Sequence, residues 1–130
     1  MMSNKIKNRR YSKRHLWMET MKESNQAYIG VTDYVIENFS GLDCIDLPLV
    51  GEEFEVDTPL MDFHLDDRIH HFRVLLSGRV LEINKDVQSD LGMLFKDPEH
   101  NWLLKIEYDS SEEFDSLMNE KQYLDYLDEL

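Results

Sequence analysis

The sequence predicts a mainly β domain, a small barrel or sandwich with a few helical additions. Short runs rich in β-branched and aromatic residues recur along the chain, separated by turn signals at intervals of about eight to twelve residues. Residues 61–65 alternate strictly between apolar and polar side chains, as a half-buried strand does. The longest helical pattern lies at the carboxyl end, where apolar residues recur every three or four positions. Together these patterns predict a β domain closed by a terminal helix.

The first third of the chain predicts two strands followed by a short helix. Residues 14–21 and 26–31 are rich in strand-forming side chains, and a turn-like sequence separates them. The segment 32–39 predicts one or two helical turns, because Thr32 or Asp33 can serve as the N-cap. Two more short strands are expected beyond it, the first before a proline and the second after a glycine turn.

The middle of the chain predicts a hairpin. Residues 59–65 and 70–76 form its two strands, and residues 66–68 form its tip. The side chains expected on one face of the first strand are Met61, Phe63 and Leu65, and those expected on the other are Asp62 and His64.

Two further strands and a terminal helix complete the prediction. The strands cover residues 77–84 and 101–108, and the helix covers residues 110–130 with Ser110 or Ser111 as its cap. The apolar stripe of this helix consists of Phe114, Leu117, Met118, Leu124 and Leu127.

The charge of the chain is strongly asymmetric, with a net value of −13 at pH 7. Six of the 14 basic residues lie in the first fourteen positions, which hold no acidic residue, so all 27 acidic residues follow them. A domain with this excess of acidic residues repels the phosphate backbone of nucleic acids, so we expect no nucleic-acid partner. We expect residues 1–10 to form a basic flexible arm and residues 11–130 to form one domain.

The sequence also predicts a cytoplasmic protein with no membrane partner. It contains no long apolar run, and its first residues lack the apolar region of a secretory signal. Its single cysteine, Cys44, suits a reducing compartment, and we expect it to behave as a small buried residue.

Four segments, residues 11–17, 29–55, 77–84 and 101–108, together resemble the H protein family of the glycine cleavage system. They follow the order and nearly the spacing of the family pattern, and the resemblance extends over residues 11 to 127. The matching residues are Tyr11, His15, Trp17, Gly30, Thr32, Asp33, Tyr34, Leu47, Pro48, Gly51, Ser77, Gly78, Val80, Asn84, Trp102 and Lys105.

The resemblance implies a barrel-sandwich hybrid of the lipoyl and biotinyl carrier type, with a short internal helix and a C-terminal helix. It also implies a carrier and not an enzyme. In the family, a lysine at the tip of an exposed hairpin is amide-linked to lipoic acid, and the resulting arm visits the other proteins of the glycine cleavage system in turn. A tight turn suits this role because it presents the amine on an ordered base.

This chain departs from the family pattern at the lysine. Counting forward from Pro48 or back from Ser77 gives the same gapless register, which places Asp67 at the lysine position. The sequence has no lysine between Lys22 and Lys85, so a slip of one or two residues does not supply one. Because a carboxylate cannot form the lipoyl amide, the sequence predicts a protein without this cofactor.

Three interpretations of the hairpin remain. Its exposed surface is expected to comprise His64, Asp66, Asp67, Arg68 and His70. If pairing is centred on Asp67, His64 and His70 face each other and form a weak candidate metal site with a neighbouring carboxylate. A His–Asp catalytic pair is the second interpretation, although no serine or cysteine nucleophile lies close in the sequence. The third is a polar surface that contacts another protein.

The sequence favours the third interpretation. It predicts an acidic, non-lipoylated H-protein-like domain that acts through protein–protein contact and is linked to glycine cleavage or to lipoate metabolism. The alternatives are a genuine aminomethyl carrier of the glycine cleavage system and a metal-binding module that uses the hairpin.

Overall fold

The computed structural model of the chain describes residues 8–21 and 24–130. These residues form nine strands and five short helices. The strands are β1 (Asn8–Tyr11), β2 (Leu16–Thr20), β3 (Gln26–Val31), β4 (Cys44–Asp46), β5 (Glu53–Phe54), β6 (Thr58–His64), β7 (Ile69–Val74), β8 (Gly78–Ile83) and β9 (Leu104–Tyr108). The helices are α1 (Asp33–Asn38), α2 (Lys85–Ser89), α3 (Leu91–Lys96), α4 (Ser111–Asp115) and α5 (Glu120–Asp128).

Six strands form the larger sheet, in the order β1-β2-β3-β9-β8-β5. All neighbouring pairs are antiparallel, and β2 pairs with β3 so that Leu16 lies opposite Val31. The two strands predicted on either side of a short turn are therefore confirmed. β9 begins at Leu104, later than predicted, so Trp102 lies before the strand and packs on Tyr28.

The smaller sheet contains the predicted hairpin and has the order β4-β6-β7. The predicted alternation is confirmed, because Met61, Phe63 and Leu65 are buried while Asp62 and His64 are only partly covered. A β-bulge between Pro59 and Met61 shifts the register of β6 against β7.

The inner faces of the two sheets enclose one apolar core. Its largest fully buried side chains include Phe63 and Phe72 from the smaller sheet and Ile29, Leu104 and Ile106 from the larger one. Burial of an apolar side chain of this size contributes about 1.5–3 kcal/mol to folding. The architecture is thus mainly β with two packed sheets, as the sequence predicts.

Helix α1 begins where predicted, although its cap does not form in the expected way. Thr32 occupies the N-cap position, but its side chain makes no capping hydrogen bond. Its hydroxyl instead pairs with the Tyr123 hydroxyl at 2.8 Å. The first helical turn is therefore tied to the C-terminal helix.

Helices α2 and α3 were not predicted. Asn84 accepts a hydrogen bond from the Val87 amide, and Asp90 accepts one from the Gly92 amide, so each helix has a side-chain cap. Each contributes one fully buried side chain, Val87 or Leu94. Helices of five and six residues are too short to show a convincing periodic stripe.

The prediction of one continuous C-terminal helix is wrong. Ser110 caps α4 as expected, but the chain leaves the helix before Met118, whose backbone exchanges two hydrogen bonds with Tyr11. Asn119 then begins α5 with a capping box. This restart changes which side chains face inward, so Leu124 is exposed and Tyr123 is buried in its place.

The prediction that residues 1–10 form a basic flexible arm is also wrong for residues 8–10. Asn8–Tyr11 forms β1 at the edge of the larger sheet, and residues 1–7 lie outside the described residues. Arg9 pairs with Glu19 at 2.9 Å and Glu99 at 3.1 Å, and its guanidinium lies over the Trp17 ring. Acidic partners and an aromatic face thus order a basic segment that has little apolar surface.

Cys44 is exposed, so the prediction that it is a small buried residue is wrong. It lies on β4, where Ile45 takes the inward position and the residues on either side point outward. Among the described residues, no helix is long and apolar enough to cross a membrane.

Candidate functional site

The tip of the β6–β7 hairpin is a tight turn on a buried base. The Leu65 amide donates a hydrogen bond to the Arg68 carbonyl at 2.8 Å, which closes the turn. Leu65 itself is buried, whereas Asp66, Asp67 and Arg68 are exposed. The apolar side chain therefore fixes the turn to the core, and the charged side chains form its outer surface.

The two aspartates at the tip have different surroundings. Asp66 packs over Gly41, whose φ of +78° and missing Cβ leave room for the carboxylate. Asp67 projects into solvent with 77% of its side chain exposed, and it pairs with Arg68 at 3.3 Å. An exposed pair of this kind contributes at most about 1 kcal/mol. The Asp67 side chain is thus more exposed than that of its partner Arg68, 54% of which is exposed.

Two histidine–carboxylate pairs cover the outer face of the smaller sheet. His64 Nε2 lies 2.7 Å from Asp46, and His71 Nδ1 lies 2.6 Å from Asp62. Both pairs are exposed or half-exposed. They join β4 to β6 and β6 to β7, so His64 belongs to the flank of the hairpin and not to its apex.

The prediction that His64 and His70 face each other is wrong. His64 pairs with Ile69, and His70 pairs with Phe63, because the turn is centred between Asp66 and Asp67. This shift by half a residue sends the two histidines to opposite faces of the sheet. Across the described part of the chain, no group of three histidine, cysteine or acidic side chains is placed to hold a metal ion.

His70 lies on the inner side of β7 against aromatic rings. Its ring centre is 4.7 Å from that of Phe39 and 4.5 Å from that of Phe72. Partial burial lowers the pKa of His70 below its ordinary value, and the positive charges of Arg68, His71 and Arg14 lower it further. Protonation of His70 is therefore less favourable in the folded state than in the unfolded chain.

This lowered pKa predicts a pH dependence of stability. Below about pH 6.5 the unfolded chain protonates His70 more readily than the folded chain does, so the free energy of unfolding should fall as the pH decreases. His70→Gln removes this contribution. In urea denaturation between about pH 7.5 and pH 5.5, we expect the variant to lose less stability than the wild type. A loss as steep as that of the wild type would contradict the assignment.

A second group of aromatic residues anchors α5 against β1 and the β1–β2 loop. Tyr123 stacks on Tyr11 at 4.9 Å, and its hydroxyl also pairs with His15 Nδ1 at 2.9 Å. Burial raises the pKa of Tyr123 to about 12, so the hydroxyl stays neutral. The predicted apolar stripe does not include Tyr123, although the capping box at Asn119 would have given the correct helical phase.

Comparisons with known proteins agree on one family. The family model described as "Glycine cleavage H-protein" matches residues 9–130. The chain belongs to the glycine cleavage H-protein family. It is 31% identical to the glycine cleavage system H protein of Thermoanaerobacter sp. (strain X514) over 119 residues, which cover 92% of this chain and 93% of that protein. It is 30% identical to glycine cleavage system H protein 1 of Caldanaerobacter subterraneus subsp. tengcongensis over 118 residues, which cover 91% and 93%.

A solved structure confirms the fold. The crystal structure of a glycine cleavage system H protein from Mycobacterium marinum superimposes with a TM-score of 0.82 at 19% identity, covering 93% of this chain and 97% of that chain. The predicted barrel-sandwich hybrid is therefore confirmed. H proteins are carriers and not catalysts, so this chain belongs to a non-enzymatic family.

The family normally carries lipoate, and the residues at this hairpin do not fit that group. An amide bond to the lipoyl carboxyl requires a primary amine, whereas the turn presents two carboxylates and the guanidinium of Arg68. Asp67 therefore offers no amine for the lipoyl amide.

Proposed function

We propose that this chain is an H-protein relative that carries no lipoyl group and works through protein–protein contact at the β6–β7 hairpin. One observation carries the proposal: an exposed carboxylate, Asp67, occupies the position at which the family pattern has its lysine. The expected partners are proteins of glycine cleavage or of lipoate handling, because the rest of the framework keeps the family pattern.

The register of the hairpin supports this assignment. Pro48 and Ser77 flank the region, and counting from either one leads to Asp67 without a gap. The turn between Leu65 and Arg68 is closed by a backbone hydrogen bond. A well-formed turn without an amine is what we expect if the hairpin kept its shape and lost its modification.

The charge of the tip supports a contact role. Replacing one cation by two anions reverses the local charge, so a partner that recognises a lysine turn would meet repulsion here. Complementary charge mainly sets the choice of partner and the rate of association. We therefore expect the partner surface that meets Asp66 and Asp67 to be basic.

The packing of the tip favours a static interface over a visit to a narrow active site. Leu65 is buried beneath the turn, and Asp66 is held against Gly41. The Arg68 guanidinium lies 5.9 Å from the centre of the Phe39 ring. Charged side chains crowd the apex and would obstruct entry into a narrow cleft.

The rival proposal is a genuine aminomethyl carrier, as the names of the related H proteins suggest. That role would require attachment of the group at a residue other than Asp67. The metal-module alternative has little support, because His64 and His70 lie on opposite faces of the sheet.

Partner capture tests the proposed contact surface. We expect the immobilised double variant Asp66→Lys, Asp67→Lys to capture about one tenth as much glycine cleavage or lipoate-handling protein as the immobilised wild type does. This tenfold loss corresponds to about 1.4 kcal/mol of binding free energy. The matched control is Asp128→Lys, Glu129→Lys, which makes the same charge change at an exposed site on the terminal helix. Quantitative mass spectrometry of the eluates measures the effect. Equal capture by all three proteins would remove the hairpin from the interface.

A further inference from the structure

A groove of about 440 Å³ runs along helix α5. Helix α1 forms part of the opposite wall, and the described residues that line the groove include none from the β6–β7 hairpin. Its base consists of the buried residues Tyr11, Thr32 and Tyr123, which are joined by a ring stack and by a pair of hydroxyl groups. The groove therefore has an ordered base on a surface separate from the hairpin.

Apolar side chains of this groove remain uncovered. Leu124 lines it with 54% of its surface exposed, and Leu127, one turn further along α5, is half-buried. On the opposite wall, the half-buried ring of Tyr34 stacks on His15. Removal of apolar surface from water is favourable, so a partner that covers Leu124 gains binding free energy.

Exposed carboxylates surround these apolar side chains. Asp33 and Glu37 lie on α1, and Glu120 begins α5. Their side chains form no hydrogen bond or ion pair with any other residue in the described ranges 8–21 and 24–130. Each carboxylate is therefore available to a cationic group from another molecule.

The basic residues of the lining do not neutralise these carboxylates. Arg9 is held by Glu99 at 3.1 Å and by Glu19 at 2.9 Å, and His100 lies 3.0 Å from Asp97. The groove is thus a region of negative potential around an apolar strip. A second copy of this chain, with its own net charge of −13, would meet repulsion there, and so would a nucleic acid.

We propose that this groove docks a short basic segment of another protein. A large apolar side chain of that segment would cover Leu124, and lysine or arginine side chains on either side of it would pair with Glu37 and Glu120. Complementary charge sets the choice of partner, and the covered leucine contributes to the affinity. This interface goes beyond the contact role proposed for the hairpin, because it lies on a different surface.

Selection from a display library of random peptides of about twelve residues tests the proposal on the full chain. We expect the enriched peptides to combine lysine or arginine with leucine, isoleucine or phenylalanine, and synthetic copies of them to bind with micromolar Kd in fluorescence polarisation. Enrichment of acidic or uncharged peptides, or no enrichment, would overturn the proposal. So would a dimer of the chain in sedimentation equilibrium that Leu124→Ser dissociates, because a second copy would then be the occupant.

Two matched pairs of variants locate the binding surface. Leu124→Ser should weaken binding of the tightest synthetic peptide by about tenfold. Leu49→Ser, which alters another exposed leucine, should leave the binding unchanged. Glu120→Lys should also weaken it by about tenfold. Glu112→Lys should not, although it makes the same charge change in the first turn of another short helix.

Thermal unfolding of the four variants checks that each one folds. Equal weakening by both members of a pair would indicate non-specific attraction to an acidic protein. No weakening by Leu124→Ser or by Glu120→Lys would place the peptide elsewhere on the molecule. Either result would overturn the proposal.

Discussion

A reconstituted glycine cleavage reaction in which this chain replaces the H protein should proceed only at background rate. The reaction requires a carrier with an acylated amine at the hairpin apex, and Asp67 supplies only a carboxylate. We therefore expect a complete loss of glycine cleavage activity and not a partly reduced rate. Release of labelled carbon dioxide from glycine, with an authentic H protein as the positive control, measures it.

Asp67→Lys should restore part of the activity when a lipoate ligase is present. Restoration should be incomplete because Leu65 and Asp66 still differ from the family pattern beside the new amine. Asp66→Lys is the matched control, since it makes the same charge change at the neighbouring turn residue, which packs against Gly41. Activity of the unmodified wild type would show that the carrier interpretation is correct and that the argument from the missing amine is wrong.

The largest expected effect on stability comes from Gly78→Ala. Gly78 pairs with Tyr108 across β8 and β9. A Cβ at this position would overlap the Glu107 carbonyl oxygen and lie 2.9 Å from the Tyr108 Cα. Both obstacles are backbone atoms of a central strand, so side-chain rotation cannot relieve the clash. We expect the free energy of unfolding to fall by about 3 kcal/mol.

Gly92→Ala is the control for this change. A Cβ there would meet only a side-chain oxygen of Asp90 at 3.1 Å, and the position is exposed on a short helix. We expect a change within about 1 kcal/mol. Urea denaturation compares the two variants with the wild type, and equal stability of Gly78→Ala and Gly92→Ala would contradict the β8–β9 packing.

The strands could be predicted because each carries its own pattern. The alternation from Met61 to Leu65 and the turn residues around the hairpin depend only on neighbouring positions. The assignment of Asp67 to the lysine position comes from the sequence register alone and stays a prediction. These features need no knowledge of distant contacts.

The remaining features depend on contacts between distant parts of the chain. β1 exists because Arg9 meets Glu99 and Trp17, a pairing that a local pattern does not reveal. The break between α4 and α5 follows from the backbone pairing of Met118 with Tyr11. Likewise, a turn centred half a residue away from the expected point was enough to separate His64 from His70.

The mass of the intact protein, purified after co-expression with a lipoate ligase and lipoate, tests the central claim most directly. We predict a single species at the mass of the unmodified chain, while an authentic H protein expressed in parallel gains one lipoyl group. Asp67→Lys should show a partial gain under the same conditions, which verifies that the ligase is active on this framework. A lipoylated wild-type species, located on any peptide of the chain, would contradict the proposal that this protein works without the cofactor.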